Sequence, residues 1–126
     1  MDTITLLNRC RAAAYEIARM EDAIERLSAS GAGAADMLSS AIHQRDERQR
    51  RYTAELVAVN ALLSTLPMLD CSIAYRYYIG GQSVSSVAKA VAYSVPYVKR
   101  VKARALKALK DVPQADIDSL LPGWYV

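Results

Sequence analysis

The stretch SVSSVAKAVAYSVPYVKRVKARALKAL, Ser83 to Leu109, decides the fold. Ser83 carries the hydroxyl of a helix N-cap, and Val84, Val87, Ala88 and Val91 follow at helical spacing as one apolar stripe. Ala92, Tyr93 and Ser94 form a tight turn, with Ser94 as a second N-cap. Pro96 falls in the first turn of the next helix, where its missing N–H leaves no bond unmade. Val98, Val101, Ala105 and Leu106, continued by Leu109, make the second stripe. Where two short helices cross closely, only a small side chain fits between the backbones, and Ala88 stands at that point. The sequence therefore predicts two capped helices, Ser83 to Val91 and Ser94 to Lys110.

Upstream, Leu69 to Ile79 reads as a further short helix, closed by a turn at Gly80-Gly81, which completes a three-helix unit over residues 68–112. Before Pro67 the pattern changes. Leu6, Cys10, Ala13, Ile17, Met20, Ile24 and Leu27 alternate by four and three, a heptad seam. Gly31 and Gly33 end that helix, and Asp36 is placed to cap the next. A second four-three series runs through Leu38, Ile42, Arg45, Gln49, Tyr52, Leu56, Val59, Leu63 and Leu66 and stops at Pro67. Arg45 and Gln49 interrupt its apolar seam as an exposed section, or else as a polar device that fixes register. Residues 1–67 thus read as an antiparallel, coiled-coil-like helical hairpin, and the chain as an all-α protein. One seam is thin, so a third helix or a second subunit is expected to cover it, with a homodimer through the hairpin as the simplest arrangement. Residues 113–126 form an acidic tail in which Ile117, Leu120 and Leu121 suit a small helix.

The chain has 126 residues, 52% of them hydrophobic, with only 5 Gly and 4 Pro, a composition that favours a folded helical protein. No apolar run reaches the roughly 18 residues of a membrane span, and no basic and apolar leader opens the sequence, so no membrane partner and a cytoplasmic location are expected. Cys10 and Cys71, 61 positions apart and without nearby ligand partners, read as reduced, part-buried thiols. The net charge of +3 is unevenly spread. Residues 1–71 hold 8 basic and 10 acidic side chains, residues 72–110 hold 8 and none, and residues 111–126 hold none and 3. A segment of 39 residues is therefore +8, a charge that suits either a nucleic-acid binder or a solvated face, so other features must decide between them.

A helix with a basic, carboxylate-free outer face fits the major groove of double-stranded DNA. Ser94, Val95, Pro96, Tyr97, Lys99, Arg100, Lys102 and Arg104 are the candidate DNA-binding residues. Val95, Pro96, Lys99 and Arg100 lie near the helix N-terminus, where base edges are met; Arg100 or Lys99 suits guanine, and Val95 or Pro96 a thymine methyl group. Lys102, Arg104 and Lys107 suit phosphates, and Tyr97 the sugar-phosphate backbone.

Tyr78 to Ser83 (YIGGQS), Val84 to Ser94 (VSSVAKAVAYS) and Val98 to Leu109 (VKRVKARALKAL) resemble region 4 of sigma-70-type factors. They resemble still more the small phage and prophage transcriptional regulators built around that helix-turn-helix, such as the RinA and ArpU group. The resemblance implies a sequence-specific transcriptional regulator whose reading helix begins at Ser94, with RNA polymerase as a candidate second partner. Ser85 and Ser86 stand where the family usually has acidic residues, and Ala92 where it has a turn glycine. Residues 1–67 do not resemble a promoter-melting region, so melting and polymerase-clamp binding are not carried over. A DNA-packaging protein of the small-terminase kind, or a recombination accessory protein, would use the same parts. A purely protein-binding module is the third class.

Other residues are assigned by context. His43 sits alone in HQRDERQRR, His43 to Arg51, and reads as a surface residue. Tyr75 and Tyr78 are expected in the core, since the chain has no Phe. Trp124 and Tyr125 are expected to form a lid over the three-helix core. No clustered nucleophile, base or phosphate loop is present in the sequence, so a non-enzyme without a cofactor is expected.

Overall fold

The computed structural model describes residues 1–31 and 33–125. Among these, the helices are α1 (Thr3–Ala29), α2 (Ala35–Leu63), α3 (Met68–Ala74), α4 (Val84–Val91), α5 (Val95–Lys110) and α6 (Gln114–Ser119). A π-helical turn, Tyr75–Ile79, continues α3, and a 3-10 turn, Gly123–Tyr125, is the last described element. The protein is all-helical, with no strand among the described residues.

Asp2 caps α1 by accepting from the Thr5 N–H at 2.7 Å, which also holds its carboxyl below the usual range. Leu6, Cys10, Ala13 and Ile17 are buried, as the heptad spacing predicts, whereas Met20, Ile24 and Leu27 are only half-buried. α2 mirrors this. Leu38 and Ile42 are half-buried near its start, and Ala54, Glu55, Ala58, Val59, Leu62 and Leu63 are buried near its end. Pairings run late-to-early, with Glu16 bonded to Arg48 and Cys10 close to Glu55. The buried face of α2 widens to doublets at 54/55, 58/59 and 62/63 because this end meets the π-helical turn as well as α1.

The cap expected of α2 fails, whereas the exposure expected at Gln49 holds. Ala34, not Asp36, precedes the helix, with no side-chain bond at the cap; Asp36 lies in the first turn, where its charge complements the helix dipole. Gln49 is exposed, and Arg48 takes the inward place. Its Nε donates to Glu16 Oε2 at 2.7 Å, Nη1 to Glu55 Oε1 at 3.0 Å and Nη2 to the Arg9 carbonyl at 3.3 Å. A polar section of the seam is thus filled by a guanidinium with enough donors to satisfy two carboxylates and a carbonyl.

Leu6, Leu7, Cys10, Val59, Leu62, Leu63, Tyr78, Leu109 and Ile117 form one core cluster, so side chains on both sides of Pro67 pack together. A second cluster of Ile73, Val87, Ala88, Val98 and Val101 joins α3, α4 and α5. Tyr78 is buried, but Tyr75 is 47% exposed, because it falls off the helix face that Asp70, Ile73 and Ala74 bury. α6 follows its expected pattern, with Ile117 buried and Leu120 and Leu121 half-buried. Tyr125 is a lid, though over α1 and α2 rather than over the three short helices: its hydroxyl donates to Glu55, and its carbonyl accepts from Arg51 at 2.6 Å. Trp124 stays 44% exposed, with the Arg50 guanidinium 3.7 Å from its ring centroid.

Candidate nucleic-acid interface

Local chemistry builds the α4–α5 unit. Ser83 Oγ accepts from the Ser86 N–H at 3.1 Å, and Ser94 Oγ from the Tyr97 N–H at 3.3 Å, so both expected caps are made. Between them Ala92 adopts φ 60°, ψ 39°, and the Tyr93 N–H reaches the Ala88 carbonyl at 3.1 Å. This left-handed residue ends α4 in the position glycine usually takes, at the steric cost of a Cβ. Ala88, 5% exposed, and Val87, fully buried, face Val98 and Val101.

The base of this unit is tied to α1. In the π-helical turn the Gly80 N–H bonds back to the Tyr75 carbonyl at 2.9 Å, and a Cβ on Gly80 would lie 2.7 Å from the Arg76 carbonyl oxygen. Arg11 Nη1 donates to the carbonyls of Tyr77 and, at 3.1 Å, Gln82. The Arg11 guanidinium also lies 3.8 Å from the Tyr77 ring centroid.

On α5, Val98, Val101, Ala105 and Leu109 are buried. Pro96, Arg100, Ala103 and Lys107 are exposed at four-three-four spacing and form the outer face, flanked by exposed Lys99 and Lys110. No carboxylate belongs to this helix. Ala103, short and central, permits close approach of a partner to the helix axis.

The eight candidate residues do not form one surface. Ser94, Pro96, Lys99 and Arg100 are exposed together at the start of α5. Val95 and Tyr97 are half-buried against the second core cluster, so neither points wholly outward. The Tyr97 ring lies 4.9 Å from that of Tyr93, with Arg100 5.7 Å from the Tyr97 centroid. Lys102 is half-buried, its Nζ 4.0 Å from the Tyr77 centroid, which draws it away from the outer face. Arg104 makes a two-bond pair with Asp70, Nε to Oδ2 at 2.9 Å and Nη2 to Oδ1 at 2.6 Å. Those bonds, then the Asp70 charge, raise the Arg104 guanidinium above its ordinary value.

Asp70, Arg11 and Tyr77 escaped the sequence reading. Only the isolation of Asp70 next to a long carboxylate-free segment signalled that it needs a cation. No three metal-ligating side chains meet among the described residues, and no described helix is long and apolar enough to cross a membrane. Compared with family models, curated proteins and solved structures, the chain matches none.

Proposed function

We propose that this chain is a sequence-specific DNA-binding regulator of transcription, built as an antiparallel helical hairpin carrying a helix-turn-helix, with α5 as the reading helix. The observation that carries this reading is the exposed Pro96, Arg100, Ala103 and Lys107 face on a capped, carboxylate-free helix whose other face is fixed by valines. Such a face offers a planar guanidinium for a guanine edge, an apolar ring for a thymine methyl group, and lysines for phosphates. Lys99 joins Arg100 at the base edges, while Lys107 and Lys110 reach the backbone. A solvated basic face would need neither the two serine caps nor the small Ala88 at the helix crossing.

The distal hairpin supports a homodimer. Met20, Ile24, Leu27, Leu38 and Ile42 are half-buried there, and a second copy would bury them further. Two linked reading helices would bind paired half-sites far more tightly than one. Phage or prophage origin and contact with RNA polymerase rest on the resemblance of residues 78–109 to sigma region 4.

Selection of duplexes from a random library by the full chain, followed by footprinting, tests the proposal. A single enriched motif, protected over one or two adjacent major grooves, is the expected result. Recovery of no enriched sequence removes the regulator reading. A ring of eight or more subunits in light scattering would favour the packaging class instead.

A further inference from the structure

We propose that Asp70 is a positioning residue, which holds Arg104 ready to clamp one phosphodiester group of the bound DNA beside the outer face of α5. The inference rests on the DNA-reading proposal above. Asp70, at the start of α3, is 3% exposed, whereas the Arg104 side chain is 59% exposed. A pair serving only to join α3 to α5 would gain little from so solvated a cation.

The geometry of the guanidinium gives the pair a second use. Arg has five N–H donors arranged along two edges that each match a two-oxygen acceptor. Asp70 takes the edge formed by Nε and Nη2. Among the described residues the end edge, Nη1 with the second N–H of Nη2, meets no carboxylate or carbonyl; the neutral Tyr97 phenol lies near the guanidinium and can be displaced, and the edge's spacing suits two phosphate oxygens. Arg104 follows Arg100 by one helical turn, so a duplex whose base edges meet Arg100 brings its backbone past this flank. A free arginine loses rotamer freedom on binding, and Asp70 has already imposed that loss. The contribution of Asp70 is orientation rather than charge, because its own charge repels phosphate.

This separates the orienting role from a structural one. Removing the Asp70 charge raises affinity for any DNA, specific or not, whereas losing the fixed fork weakens only the complex in which the register is set. The experiment compares the full-length wild type with Asp70→Asn, Arg104→Lys and Arg104→Gln. Each is titrated against the selected duplex and a scrambled duplex across a salt series, well below its melting temperature. The ratio of specific to non-specific affinity is expected to fall about 2- to 10-fold in Asp70→Asn and Arg104→Lys. Arg104→Gln is expected to lower the salt slope by about 1, and Arg104→Lys to leave it unchanged. An Asp70→Asn protein with equal gains on both duplexes and an unaltered ratio overturns the inference while leaving the DNA-reading proposal intact. So does an unchanged slope in Arg104→Gln. A wild type that prefers no duplex removes both.

Discussion

The hydroxyl of Tyr125 donates to the carboxylate of Glu55, 70 positions earlier, and so fastens the tail to the C-terminal half of α2. Glu55 is 1% exposed and, among the described residues, has only Arg48 and Tyr125 as side-chain partners, which makes each bond costly to lose. Tyr125→Phe is expected to destabilise the protein by about 1–3 kcal/mol. Urea unfolding measures it, and the loss should shrink in a Glu55→Gln background, because the two groups share one bond. A neutral Tyr125→Phe would mean that the tail is not held there. Truncation after Lys110 also removes buried Ile117, and should lower the Tm more than Tyr125→Phe does.

Ala92 occupies a left-handed conformation at φ 60°. A Cβ there costs about 1–2 kcal/mol, and glycine gives back about half of the relief as unfolded-chain entropy. Ala92→Gly is therefore expected to stabilise the protein by about 0.5–1 kcal/mol, read as a higher urea midpoint. A lower midpoint would place this turn in another conformation.

Burial lifts the Cys10 thiol from 9.0 to about 11, and the Tyr78 phenol from 10.0 to about 12. For both groups the folded chain binds its proton more tightly than the unfolded chain does. Their stabilising contribution is complete below pH 9.0 and is lost as the pH rises towards about 11 and about 12 respectively. The urea midpoint should fall steadily above pH 9, and fall less in Cys10→Ala. Iodoacetamide at pH 8 should label half-buried Cys71 and spare Cys10 until the protein unfolds. Equal labelling of both thiols would contradict the packing of α1.

The helices themselves were legible because their signals are local. Ser83 and Ser94 mark starts through bonds to residues only three positions away, Pro96 through its missing N–H, and the valine stripes of α4 and α5 follow one period. The bonds that tie the elements together were not. Arg104 meets Asp70 across 34 positions, and Arg11 meets Gln82 across 71. No periodicity carries such pairings. Arg48 replaced Gln49 in the seam because a charged side chain with three acceptors in reach outweighs the continuation of a heptad count. Of the candidate reading residues, Ser94, Pro96, Lys99 and Arg100 stand together in the structure. Lys102 is drawn to Tyr77, an aromatic ring supplied by a different element.

The most direct test of the central claim is a fluorescence anisotropy titration of the selected duplex with wild type and with Lys99→Ala, Arg100→Ala. Both side chains are exposed, so the double variant should keep its helical circular dichroism and its Tm. The reading assigned to α5 requires its affinity to fall by at least about tenfold, with the preference for the selected sequence lost. Binding of the folded double variant with unchanged affinity and preference would contradict it.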